Sequence, residues 1–138
     1  MSKMNNIVTI TVDRTSDEPV YEQIARKIRL SIVAGELPAG ASLPSVRVLA
    51  SDLGVNLNTV ARAYRILEQE GFVRIEDRSG VIVVPPTTRT DVEEKQRLCE
   101  SLRLLLARMR QAGVTREELR QVVESELAAL YEDRREAH

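Results

Sequence analysis

Apolar residues recur at Val20, Ile24, Ile28 and Ile32, about one helical turn apart, with Tyr21 and Leu30 flanking them. This spacing predicts a helix from about 19 to 34, opened by Ser16, Asp17 and Pro19 and stopped by Gly35. Upstream, IVTITV at 7–12 alternates β-branched apolar residues with threonine and reads as a short strand at a sheet edge. Downstream, ELPAGASLP reads as a connector, because Pro38, Gly40 and Pro44 prevent helix continuation. A second helix is expected over about 45–53, ending at Gly54. Asn56 is placed to cap a third, over about 57–70, which Gly71 stops. Val73–Glu76 and Val81–Val84 flank Asp77-Arg78-Ser79-Gly80, the pattern of a β-hairpin. Pro85-Pro86 and the polar run TTRT then interrupt the apolar period and put a domain boundary near 85–90. Beyond it, Thr90 or Asp91 opens a helix to about 112, Gly113 ends it, and Thr115-Arg116-Glu117-Glu118 forms a capping box for a last helix.

On a wheel of about 100° per residue, Leu57, Val60, Ala63, Tyr64 and Leu67 fall in one sector, which is expected to face inward. Asn58, Arg62, Arg65 and Gln69 fall opposite. The shorter helix before it, apolar at Val46, Leu49, Ala50 and Leu53, is joined to it by a tight Gly-Val-Asn turn, which is helix-turn-helix spacing. A β-hairpin directly afterwards makes it a winged version. The expected fold is therefore mainly α with a small β wing: a winged helix-turn-helix domain over 1–86, then a C-terminal two-helix hairpin over 87–138.

Composition sharpens this picture. The 138 residues suffice for one small core and an appendage. Aromatics are 3% of the chain, with no Trp, so the core must be aliphatic, and a site that stacks unpaired bases is disfavoured. The net charge of −1 and an isoelectric point near 5.9 differ from the basic balance common in nucleic-acid-binding domains. Phosphate contacts, however, need only local cation density, and between Ser42 and Ile66 Arg47, Arg62 and Arg65 stand against Asp52, 3 − 1 = +2.

The outward face of the third helix carries the residues that read duplex edges: Arg pairs bidentately with guanine and Asn with adenine. Its first-turn amides and dipole add a phosphate-binding element. Arg62 is the expected base contact and Arg65, a turn further on, a backbone phosphate contact. Asn58 and Thr59 serve either as contacts or only in the first helical turn, and Ser45 either donates to phosphate or caps its helix. A solvated helix face offers the plainer alternative, with Arg65 paired to Glu68 or Gln69 and Arg47 to Asp52 or another nearby acid.

The run GELPAGASLPSVRVLASDLGVNLNTVARAYRILEQEGFV, preceded by PVYEQIARKIRLSIVAG, resembles the N-terminal DNA-binding domain of GntR-type bacterial transcription regulators over roughly 7–84. The PVYEQI opening and the short helical tail are similar to the YtrA-like branch, whose members lack a large ligand-binding domain. The resemblance implies that Arg47 contacts a base or phosphate and that the segment 56–62 enters the major groove. It implies that Arg78 and Gly80 belong to a wing reaching the minor groove or its phosphates. The chain departs from the pattern at Leu57, where many relatives hold Arg or Pro, and in its wing, DRSGVIVV, where Asp77 would be repelled by phosphate if it pointed inward.

In the tail, Leu98, Cys99, Leu102, Leu105, Leu106 and Met109 share one helix face while Leu104 points away. Leu119, Val122, Val123, Leu127 and Leu130 make a second stripe. A two-helix hairpin cannot cover both sides, so pairing with a second copy is expected, the alternative being packing on its own first domain. Cys99, alone and among leucines, is expected to be a small buried apolar residue. No GxGxxG, P-loop or Cys/His cluster occurs, and His138 is terminal, so no enzyme activity, cofactor or metal is expected. With no signal peptide and no long apolar run, the chain is expected to be cytoplasmic and without membrane contact. The reading is a homodimeric, sequence-specific regulator of double-stranded DNA, a repressor of a palindromic operator, with its effector unspecified. The competing reading is a winged-helix protein-interaction module without DNA binding.

Overall fold

The computed structural model describes residues 2–4, 8–77, 80–86 and 91–136. The chain divides into two compact units, Met1–Pro86 and Thr87–His138. The first contains β1 (Ser2–Met4), β2 (Val8–Ile10), α1 (Val20–Val33), β3 (Ser42–Leu43), α2 (Val46–Leu53), α3 (Leu57–Gln69), β4 (Val73–Glu76) and β5 (Gly80–Val83). The second contains α4 (Val92–Gln111) and α5 (Arg116–Glu136).

The four-residue apolar period of α1 buries Ile24, Ala25 and Ile28 against α3. Its first turn has no side-chain cap and is held instead by Gln23, a buried polar residue. Gln23 Oε1 accepts from the Asp13 amide at 2.8 Å, and its Nε2 donates to the carbonyls of Asp13 at 2.8 Å and Glu18 at 2.9 Å. One side chain thereby satisfies three backbone groups of the loop leading into the helix.

Ser45 caps α2 by accepting from the Val48 amide at 3.2 Å. Gly54 closes that helix in the left-handed region, at φ 68°, as the tight turn into α3 requires. Asn56 then caps α3, accepting from the Asn58 amide at 2.8 Å. Val60, Ala63, Tyr64 and Leu67 are buried, as the wheel indicates, but Leu57 is 49% exposed. The sector assignment fails there because Leu57 is the first residue of the helix, before the segment that α1 and α2 cover.

The wing is a three-stranded antiparallel sheet in the order β3-β5-β4. The expected hairpin is present, with Val73 opposite Val83 and Ile75 opposite Val81. Its second strand runs over Gly80–Val83, one residue earlier than expected. The connector also contributes a strand that its turn-rich sequence hides: Ser42 pairs with Ile82 and Leu43 with Val81. The N-terminal strand forms over Val8–Ile10, shorter than expected, and pairs with β1, which the apolar pattern did not reveal. The core is aliphatic apart from Tyr64 and joins Ile10, α1, α2, α3 and the inner face of the wing.

In the second unit Asp91 caps α4 by accepting from the Glu94 amide at 3.1 Å. The capping box of α5 closes reciprocally: Glu118 N donates to Thr115 Oγ1 and Thr115 N to Glu118 Oε1, each at 3.1 Å. Donation from Thr115, its backbone amide first and its side chain second, holds the Glu118 carboxyl below its usual pKa. Of the apolar stripe residues, only Leu106, Met109 and Leu119, near the turn, are half-buried. Leu98, Leu102, Leu104 and Leu105 of α4, and Val122, Val123, Leu127 and Leu130 of α5, are exposed. Cys99 is exposed too, contrary to the expected burial, because α5 leaves its face of α4 uncovered.

Candidate nucleic-acid interface

Burial of one side of α3 fixes what the other side presents. Asn58, Arg62 and Arg65 are exposed and Thr59 is half-buried. The helix is held to α2 by the Tyr64 hydroxyl, which donates to the Pro44 carbonyl at 2.6 Å. Burial pushes the Tyr64 pKa up, so the group stays a neutral donor. It is held to the wing by Glu68, whose carboxylate accepts from the Ile75 amide at 2.9 Å. Glu68 therefore faces β4, and the pairing with Arg65 that a solvated helix face would give does not form.

Most described arginines of the first unit are committed to partners within it. Arg26 pairs with Glu18 at 2.9 Å, Arg29 with Glu70 at 2.7 Å and Arg74 with Glu76 at 3.0 Å. Arg14 Nη2 donates to the carbonyls of Gly54 at 2.6 Å and Leu53 at 3.3 Å, bracing the turn between α2 and α3. Arg47, Arg62 and Arg65 alone among them have no hydrogen bond or ion pair to a described residue. Arg47 is exposed in the first turn of α2, and the bridge to Asp52 does not form. Arg62 has a partner of another kind: its guanidinium carbon lies 3.8 Å from the centroid of the Tyr21 ring. The three unpaired guanidinium groups are the three that carry the local positive balance of the sequence.

Ser45 and Asn56 each use a side-chain oxygen as a helix cap, which leaves the Asn56 amide nitrogen without a described acceptor. Gly80 sits at the base of the wing turn with φ 96°, and a Cβ there would lie 3.4 Å from the Leu43 carbonyl. Arg78 falls outside the described residues. Sequence reasoning did not find Tyr21 as a platform for Arg62, Gln23 as a buried clamp or Arg14 as a turn brace. The signal for Tyr21 was its rarity, as one of four aromatic residues in the chain, within a segment already singled out.

Elsewhere the chemistry is sparse. No group of three or more His, Cys, Asp or Glu among the described residues could hold a metal. The surface hollow lined by Val92, Lys95, Gln96, Cys99, Glu100 and Arg103 belongs to one side of α4 and has no convergent polar set. No helix among the described residues is long and apolar enough to cross a membrane.

Residues 20–83 match the bacterial regulatory proteins of the gntR family. The HTH-type transcriptional repressor YtrA of Bacillus subtilis (strain 168) is 36% identical over 111 residues, 80% of this chain and 85% of that protein. Among solved structures, YtrA from Sulfolobus acidocaldarius, a GntR-family transcription factor, is 38% identical with a TM-score of 0.60, covering 72% of this chain and 94% of that one. A transcriptional antiterminator from Listeria monocytogenes EGD-e is 28% identical with a TM-score of 0.73, covering 86% and 90%. The match spans 17% of one curated relative, a much longer protein, and 61% of another. Capped helices, a three-stranded wing, an outward arginine face and this likeness to YtrA agree: the chain belongs to the GntR family of bacterial transcriptional regulators, in its YtrA-like branch, and carries that family's winged helix-turn-helix DNA-binding domain.

Proposed function

We propose that the chain is a homodimeric repressor that reads a palindromic operator, with α3 in the major groove. Arg62 and Asn58 contact base edges, Thr59 lies beside them, and Arg65 neutralises a backbone phosphate. Arg47 contacts a base or phosphate from α2, while Ser45 and Asn56 bring the amide-rich starts of α2 and α3 to the backbone. Arg78 and Gly80 form the wing's approach to the minor groove. The tail over 87–138 pairs two copies through the leucine faces of α4 and α5, and the protein acts in the cytoplasm.

The single observation that carries this reading is the unused donor capacity of Arg47, Arg62 and Arg65 in a unit whose other described arginines are all engaged. A guanidinium presents five N–H groups in a fixed fork that matches guanine and phosphate acceptors. Repression is favoured by the similarity to a protein named a transcriptional repressor.

Selection from a random duplex pool with the full chain tests the reading. The expected product is an inverted repeat with half-site centres about 34–36 Å apart, one helical turn. Its affinity should fall steeply with salt as phosphate contacts are lost. A pool enriched in nothing at any ionic strength would instead favour the protein-interaction module.

A further inference from the structure

The exposed arginines of α3 differ in one respect. Arg65 has neither a polar nor an aromatic partner, whereas the Arg62 guanidinium carbon lies over the Tyr21 ring, 3.8 Å from its centroid. Tyr21 is the second residue of α1, half-buried and packed on the hydrophobic core, so it is a fixed surface rather than a second mobile side chain. A planar guanidinium at this distance favours stacking, with its face toward the ring. The N–H groups lie in that plane and point outward from its edge, so stacking restrains the side chain without consuming its donors.

Arg29 demonstrates the combination within the same domain. Its guanidinium carbon is 5.9 Å from the Phe72 centroid, and its edge is simultaneously bound by Glu70, with Nε at 3.0 Å and Nη2 at 2.7 Å. Arg62 has the closer ring and no carboxylate. Its position therefore reproduces an arginine–ring–acceptor arrangement with the acceptor missing, on the face already assigned to DNA.

We infer that Tyr21 is a positioning residue for base recognition: it holds the Arg62 guanidinium in one orientation before DNA arrives, so that its edge meets a guanine O6/N7 pair. The inference rests on the operator-reading function proposed above. A long, rotamer-rich side chain fixed in advance loses less freedom on binding, and a fork fixed in angle discriminates between acceptor pairs more sharply. Specificity at one base pair would thus depend on a residue in α1 that does not touch DNA. Arg65, without a platform, suits a phosphate, where direction matters less.

The test uses the full chain and the half-site obtained by pool selection, with each position varied through all four base pairs in competition assays. Arg62→Ala should reduce base discrimination at one position by about tenfold to a hundredfold. Tyr21→Leu should reduce it at that same position, several-fold, with other positions and the salt slope unchanged; Tyr21→Phe, which keeps the ring, should retain the wild-type profile. Thermal melting identifies a variant that fails to fold, and Tyr21→Met then supplies an unbranched apolar replacement without a π-face. Full discrimination in folded Tyr21→Leu and Tyr21→Met, or an equal affinity loss for every sequence, overturns the positioning role. So does Arg62→Ala if it changes no base preference, although enrichment by the wild type would leave the operator reading standing. Failure of the wild type to enrich any sequence would sink that reading itself.

Discussion

Tyr64 on α3 donates its hydroxyl to the carbonyl of Pro44, which lies just before the cap of α2, at 2.6 Å. Two helices that meet at a short turn are thus joined a second time, at the far end of α2. Tyr64→Phe keeps the ring in the core and leaves that carbonyl without its donor, a change worth about 1 kcal/mol. Denaturant titration of the variant measures it.

The same group predicts a pH dependence. Burial pushes the Tyr64 pKa above the tyrosine value in an unfolded chain, because the folded state disfavours the phenolate. Its contribution is therefore complete below the unfolded value, near pH 10, and is lost as pH rises through the higher folded value. Wild type should lose stability over that alkaline range in excess of Tyr64→Phe. A gap between the two that stays constant with pH contradicts the burial of the phenol.

At the α2–α3 turn, Gly54 has φ 68°, and a Cβ added there would stand 3.6 Å from Arg14 Nη2, an ordinary contact. The cost of Gly54→Ala is accordingly one of backbone conformation, about 1–2 kcal/mol. Gly54→Asn should cost less, since asparagine tolerates this region. Arg14→Ala removes the donor to the Leu53 and Gly54 carbonyls and should cost roughly 0.5–1.5 kcal/mol, because both acceptors become free to bind water. Thermal melts of the three variants rank them. Gly54→Asn less stable than Gly54→Ala would refute the conformational explanation.

Gln23 should be the costliest single polar substitution in the first unit. Its side chain makes three hydrogen bonds to the backbone of Asp13 and Glu18, and it is buried. Gln23→Ala strips those partners and opens a small void, for a loss of about 2–3 kcal/mol. Hydrogen exchange at the Asp13 amide gives a local readout, and protection there unchanged from wild type would exclude the clamp.

What the sequence made legible and what it hid divide along physical lines. Ser45, Asn56 and the Thr115–Glu118 box could be identified because a cap is a local bargain between a side chain and amides two or three residues away. The helices followed from apolar period for the same reason. β3 was hidden because its two residues carry too little pattern, and only pairing with Val81 and Ile82 makes them a strand. The Tyr21–Arg62 stack, the Arg14 brace and the Arg29–Glu70 pair join positions some 40 residues apart, a distance over which periodicity carries no information. Leu57 and Cys99 were misplaced because a helical wheel gives the face of a residue but not how far along the helix its neighbours reach.

Leu98, Leu102, Leu104 and Leu105 are each 50–60% exposed on α4, a larger apolar surface than one hairpin can cover. Covering an exposed leucine is worth about 1.5–3 kcal/mol when burial is complete. Leu102→Glu with Leu105→Glu in the full chain changes four half-exposed side chains at the proposed two-fold interface. The dimer dissociation constant should therefore rise more than roughly a hundredfold. Cutting the chain after Pro86 should leave a mainly monomeric first unit, whose core is its own, and operator binding should weaken sharply because two reading heads are no longer linked. Light scattering across a concentration series measures both. Dimer mass persisting in the Glu variant and in the truncated chain would move the pairing surface out of the tail and into the winged domain.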